Sequence, residues 1–162
     1  MSNFSDAVAF VNRFQKELPV NVEGLAGVLG LKIWESHQLP EGIAGKLKRD
    51  PRNGGPSGFS IIVRGPDPLV RKRFTVAHEI AHYLLHKTRF IGELVDDALY
   101  RSTLSSKLEA EANALAAEIL MPEHWMGRFP SLDNAALAEK FQVSQEAIRI
   151  RVDSLTRRRA LA

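Results

Sequence analysis

Apolar residues recur at helical spacing in the first part of the chain. Residues 5–17 carry five of them in a pattern that predicts a helix ending before Pro19: Ala7, Val8, Phe10, Val11 and Phe14. Residues 22–29 predict a short second helix, which Gly30 would close. The chain is therefore expected to open with two helices.

Three segments that follow have the composition of strands. They cover residues 31–34, 42–48 and 59–64, and residues 49–56 between the last two are dense in Gly, Pro, Asn and Asp. We expect these segments to form a small antiparallel three-stranded sheet packed on helices. The predicted fold class is α+β.

Two long helices and two short ones are predicted in the second half of the chain. Residues 69–86 are apolar around most of the helix circumference, so we expect this helix to be buried. Residues 106–120 form the next, which Pro122 would end. Residues 133–141 and 144–155 are the two short helices.

Composition limits the chain to a small set of protein classes. With 162 residues, 44% hydrophobic and 25% charged, one compact unit is expected, with a core at 1–128 and a helical appendage at 129–162. No cysteine is present, so disulfides and thiolate metal ligands are excluded. The first residues lack the features of a signal peptide, and no apolar run approaches the ~20 residues that span a bilayer. We expect a cytoplasmic protein with no membrane contact.

The net charge of +3 is unevenly placed, because five arginines crowd the last turns: Arg149, Arg151, Arg157, Arg158 and Arg159. Such a cluster can contact nucleic acid or an acidic partner. A solvated helix end is the commoner interpretation of a bare charge run.

The segment His78-Glu79-Ile80-Ala81-His82 carries the most specific chemistry. Residues four apart share one face of a helix, so the imidazoles of His78 and His82 can reach the same metal ion. Glu79 would face the open side of that ion as a general base. A chance match on a core helix is the alternative, but unpartnered polar groups on so apolar a helix are costly.

His86 extends the spacing but cannot join both other histidines on one ion. Eight residues of helix rise about 12 Å, whereas zinc lies about 2 Å from each ligand nitrogen. His86 is interpreted either as a group near the substrate cleft or, preferably, as a partly buried helix-end histidine that interacts with the last carbonyls.

A catalytic zinc site needs a third protein ligand, and the predicted helix 106–120 offers it. Glu109 and Asn113 lie four residues apart, so Glu109 could bind the metal while Asn113 hydrogen-bonds a histidine ligand. Glu111 lies about 200° around the helix from Glu109, so only one of the two can face the metal. We prefer Glu109, and Glu111 stays open as the rival.

The chain resembles the ImmA/IrrE family of metallopeptidases. The resemblance is carried by RFTVAHEIAHYLLH at 73–86, DDALYRS at 96–102 and the segment 109–122. It implies a reduced gluzincin-like fold in a single metallopeptidase domain, 1–162, with zinc held by His78, His82 and Glu109, and Glu79 as the base. The same ligands also accept manganese or iron. Members of the family typically cleave a helix-turn-helix repressor of the Xre type, which derepresses phage, mobile-element or stress genes.

Zinc peptidases commonly bind the peptide as an added strand at a sheet edge, and residues 59–64 are the preferred candidate for that edge, with an interior strand as the alternative. Four side chains are candidates for oxyanion or substrate contacts: Tyr100, Arg101, His124 and His86. No spacing rule places them.

Residues 137–148 are similar to a helix-turn-helix, with Ser144 as the cap of a would-be recognition helix. DNA binding is therefore the second hypothesis: a DNA-binding regulator or toxin-antitoxin component with a structural or inactive metal site. Against it, four apolar residues favour burial of this helix on the core: Ile148, Ile150, Val152 and Leu155.

Overall fold

The computed structural model describes residues 3–89 and 103–162. The helices are α1 (Phe4–Asn12), α2 (Val22–Val28), α3 (Leu69–His86), α4 (Thr103–Leu120), α5 (Glu123–Met126), α6 (Asn134–Phe141) and α7 (Gln145–Leu161), and the strands are β1 (Leu31–Ser36), β2 (Gly45–Arg49) and β3 (Phe59–Arg64). A single 3-10 turn, Lys87–Arg89, follows α3. The α+β class is confirmed. In the described part of the chain, no helix is both long and apolar enough to cross a bilayer.

The sheet is mixed, which corrects the prediction of an antiparallel one. Its order is β1-β3-β2, with β3 antiparallel to β2 but parallel to β1. β3 takes the centre because it carries the most buried apolar surface, including Ile61 with no exposed surface and Val63 at 2%. β1 and β2 do not pair with each other, and β3 lies between them.

Helices α3 and α4 pack closely against each other. Ala112 and Ala116 of α4 and Ala77 and Ala81 of α3 have no exposed surface. Small side chains at a helix contact allow the two backbones to approach. This packing brings the histidine-bearing face of α3 toward the first turns of α4.

The C-terminal helices pack onto the same hydrophobic core. Asp133 caps α6 and Ser144 caps α7, and Gln142 between them has a positive φ of 54°. Phe141 and Ile148 have no exposed surface and belong to one cluster with the residues of α3 and α4. The predicted pair of helices is present, and α7 continues beyond its predicted end at residue 155 to Leu161.

Candidate metal centre

His78 and His82 lie one turn apart on α3, with their ring centroids 4.7 Å apart. The carboxylate of Glu109 on α4 reaches both rings: Oε2 lies 3.1 Å from His78 Nε2, and Oε1 lies 2.7 Å from His82 Nε2. The three ligand atoms lie within 4.8 Å of one another. The structure thus brings together the two imidazoles and the carboxylate that was preferred as the third ligand.

The other ring nitrogens of the two histidines are also in hydrogen-bond contact. His78 Nδ1 lies 2.9 Å from Asn113 Oδ1, the contact that the four-residue spacing of Glu109 and Asn113 predicts. His82 Nδ1 lies 2.9 Å from His86 Nδ1. Partners of this kind fix the orientation of a ligand ring.

His86 is the last residue of α3, as the preferred interpretation has it, but it is almost fully buried rather than partly buried. It is 1% exposed, and its Nε2 lies 3.4 Å from Glu111 Oε2. Glu111, the rival third ligand, therefore contacts His86 rather than the Nε2 atoms that Glu109 approaches. In the sequence, the feature that indicates the contact between His82 and His86 is their spacing of four residues on one helix.

The contacts at the centre shift the pKa values of its groups. Burial alone would raise the pKa of Glu109, but hydrogen bonds with His78 and His82 lower it to about 2. Burial alone would lower the pKa of His78, but Glu109 and the nearby Glu79 raise it above its ordinary value. Glu109 is thus held as a carboxylate, the form in which it binds a cation.

Glu79 lies beside this group and is almost fully buried, at 2% exposed. Its Oε2 has no hydrogen-bond partner among the described residues. Burial raises the pKa of Glu79, and the neighbouring His78 and His82 offset the rise only in part. A buried carboxylate with a raised pKa and an oxygen free of hydrogen bonds is suited to proton transfer.

A cleft of about 590 Å³ opens over this group. One wall is the segment 40–45 that leads into β2, and the other is formed by α3 and α4. Gly45 permits the walls to approach: a Cβ there would overlap Thr75 Cγ2 and lie 2.7 Å from the carbonyl oxygen of Ile62.

The sheet edge at this cleft is β2, so the prediction of an edge at residues 59–64 is wrong. Two backbone hydrogen bonds lie at the ends of the β2–β3 pair: Arg64 N donates to Ala44 O, and Asp50 N donates to Gly58 O. The even-numbered residues of β2 are therefore the ones that bond to β3. Ladder bonds alternate along an antiparallel pair. The backbone groups of Gly45, Leu47 and Arg49 therefore point away from β3. Gly45 and Leu47 are buried, and the backbone of Leu47 hydrogen-bonds the Glu79 carboxylate.

The remaining predicted contact residues are Tyr100, Arg101 and His124. Tyr100 and Arg101 lie outside the described residues. His124 is exposed on α5, where its ring lies 6.2 Å from that of Trp125, and it does not line the cleft.

The sequence is similar to those of known proteins. Residues 36–153 match the model of a peptidase family described as the IrrE N-terminal-like domain. The radiation response metalloprotease IrrE of Deinococcus radiodurans is 35% identical over 104 residues, which cover 60% of this chain and 32% of that protein. The chain thus spans about a third of that relative's length.

Among solved structures, a Mycobacterium tuberculosis transcriptional regulator matches with a TM-score of 0.57 at 16% identity. The match covers 90% of this chain and 44% of the other. At that identity the likeness shows the fold alone.

Proposed function

The chain belongs to the IrrE N-terminal-like family of peptidases, and on that premise we propose that it is a metal-dependent endopeptidase. The observation that supports this most directly is the convergence of His78, His82 and Glu109 within 4.8 Å, beside the buried carboxylate of Glu79. The site opens to a cleft large enough for a peptide.

The donor set fits a divalent metal, and we propose zinc. Two imidazole nitrogens and one carboxylate oxygen are a common ligand set of catalytic zinc, which leaves one position open for solvent or substrate. The vacant Oε2 of Glu79 is a second sign of fit, because a buried carboxylate oxygen without a partner calls for a ligand in the site. When bound, zinc polarises the scissile carbonyl and makes a water molecule a stronger nucleophile.

Glu79 transfers the proton in this mechanism. Its carboxylate takes a proton from the attacking water and delivers it to the nitrogen of the leaving amine. Asn113 holds the His78 ring through Nδ1, so the side chain does not have to reorient during the reaction.

The open edge of β2 would bind the peptide as an added strand. The backbone groups of Gly45 point away from β3, and Gly45 lines the cleft beside His78. Backbone hydrogen bonds of this kind hold an extended chain across the site with little demand on its sequence.

As the substrate, we propose a helix-turn-helix repressor of the Xre type, cut at an exposed segment, so that phage, mobile-element or stress genes are derepressed. The proposal rests on the resemblance of this chain to the ImmA/IrrE family. Such a substrate would be met in the cytoplasm. Coexpression with a small Xre-like repressor encoded beside the gene tests it, with truncation of the repressor as the expected result.

The replacement Glu79→Gln tests the enzymatic proposal itself. It removes the proton acceptor while keeping the size of the side chain, so peptide cleavage should fall by about a hundredfold or more. Zinc affinity and the melting temperature should stay close to those of the parent protein. Glu139→Gln on the exposed face of α6 is the matched control and should leave cleavage unchanged. Cleavage by Glu79→Gln at the parent rate would contradict the proposal.

DNA binding by α6 and α7 stays the second prediction, supported by the short turn between them and the Ser144 cap. Ion pairs engage three of the tail arginines, since Arg149 contacts Glu146, and Arg151 and Arg158 contact Glu118. Paired arginines are less available to phosphates. A gel-shift titration at several salt concentrations separates this regulator from the peptidase.

A further inference from the structure

A second groove, of about 690 Å³, lies between the start of α3, the second half of α4 and the start of α7. Its wall is mainly apolar and includes six residues from these helices and the α6–α7 turn: Phe74, Ala117, Met121, Val143, Ala147 and Ile150. Ile150 is 52% exposed although it is a large apolar side chain. Exposed apolar surface of this kind marks a site that binds something apolar.

The groove adjoins the cleft over the candidate metal centre. Phe74 and Asn113 line both cavities. Asn113 also contacts the Nδ1 atom of His78 at 2.9 Å. A peptide bound over the histidines would therefore lie next to the groove.

Three charged side chains line the groove: Arg71, Glu146 and Arg151. Arg71 is 67% exposed and lies 3.7 Å from Asp67. Arg151 is 2% exposed; its Nε donates to the carbonyl of Met121, and its Nη2 is ion-paired with Glu118. Glu146 accepts two hydrogen bonds from Arg149. Apart from Arg71, the surface left for a ligand is mainly apolar, which suits aliphatic or aromatic side chains.

We propose that this groove binds a large apolar side chain of the substrate beside the scissile bond. α7 would then be a substrate-binding element, with Ala147 and Ile150 as residues that determine specificity. The inference rests on the proposed peptidase function and adds the substrate class to it: a polypeptide with Leu, Ile, Met or Phe next to the cut.

Internally quenched peptides test the inference. The panel shares one frame and varies the two residues that flank the cut between Leu, Phe, Ser and Asp. The zinc-loaded parent protein should favour a large apolar residue on one side, by about tenfold or more in kcat/KM. Ala147→Trp fills the groove and should remove most of this preference, by lowering kcat/KM for the Leu and Phe peptides toward that for the Ser peptide. Ala160→Trp, at an exposed position near the end of α7, is the matched control.

Two outcomes of the cleavage assay would overturn the inference. One is a parent protein with no apolar preference, and the other is an Ala147→Trp variant that keeps the preference or slows every peptide equally. Sedimentation at several protein concentrations gives a third outcome that would overturn the inference. If the parent protein self-associates, and Ala147→Trp abolishes this association but keeps the peptide selectivity, the groove binds a second copy of the chain.

Fluorescence anisotropy of the labelled Leu and Ser peptides separates failure of this inference from failure of the proposed function. If the parent cleaves none of the panel, the peptidase proposal fails. The groove is then judged by binding alone: tighter binding of the Leu peptide, lost in Ala147→Trp, supports it, and equal binding of both peptides refutes it.

Discussion

At the scale of the residue, the contacts around His82 fix the direction of a hydrogen-bond chain. With Nε2 of His82 turned toward the metal site, its proton is on Nδ1 and is donated to His86 Nδ1, 2.9 Å away. His86 must then carry its proton on Nε2, which faces Glu111 Oε2 at 3.4 Å. Glu111 therefore supports, through His86, the proposed metal ligand His82.

This chain of contacts predicts that His86→Ala weakens metal binding. The variant leaves the buried Nδ1–H of His82 without this acceptor, so zinc affinity should fall by about 10–100-fold. Competition with a chromophoric chelator measures the affinity. His124→Ala on α5 is the control and should bind zinc like the parent. Equal affinity in both variants would mean that His86 has no part in holding His82.

At the scale of the element, β2 determines the shape of the site. It is the only strand of the described sheet that lies next to the cleft, and Gly45 allows it to approach α3 beside Thr75. The edge of a sheet presents backbone groups to a ligand only if no side chain or helix covers it. Because Gly45 has no Cβ, β2 can pack close to α3 beside the candidate metal centre.

The replacement Gly45→Ala should destabilise the fold and slow cleavage. The new Cβ overlaps Thr75 and approaches Ile62, so β2 must move away from α3, at a cost of about 1–3 kcal/mol in the free energy of unfolding. Urea denaturation measures this cost.

Gly27→Ala is the matched control, because a Cβ there meets nothing within 4 Å in the interior of α2. It should stabilise the protein by about 0.5–1 kcal/mol, since alanine has less backbone freedom to lose than glycine. If Gly45→Ala were as stable as the parent protein, the close packing of β2 on α3 would not be required.

At the scale of the whole molecule, a buried ion pair joins the C-terminal helices to the core. Arg151 Nη2 of α7 lies 2.9 Å from Glu118 Oε2 of α4, and the side chains are 2% and 8% exposed. The contact is ionic, since Nη2 forms no aligned hydrogen bond within the described residues. α7 closes one side of the apolar groove, so this pair also holds the groove in shape.

Replacement of Arg151 by an uncharged residue should lower the free energy of unfolding of the whole domain. Arg151→Met leaves the buried Glu118 with Arg158 alone, which predicts a loss of about 3 kcal/mol, the lower end of the range for a broken buried pair. Arg149→Met is the control, because its pairs with Glu146 and Asp153 are exposed and contribute about 1 kcal/mol at most. Thermal and urea unfolding compare the two. Equal stability of the variants would show that α7 does not depend on the buried pair.

Much of this architecture follows from local patterns. The boundaries of α3 and the N-cap of α7 were predicted because helix spacing and capping depend on neighbours in sequence. The central position of β3 in the sheet was not predicted, because strand order depends on which strands meet in space. The short helix α5 was missed, since a single turn leaves no periodic pattern.

The sequence by itself determined that His78 and His82 share one helix face with Glu79 beside them, because the α-helix repeat fixes those relations once the helix forms. Only the tertiary structure decided which glutamate of α4 faces them, that His86 and Glu111 stand behind His82, and that β2 borders the cleft. These relations depend on how α3, α4 and the sheet pack, and such packing joins residues that no spacing along the chain relates.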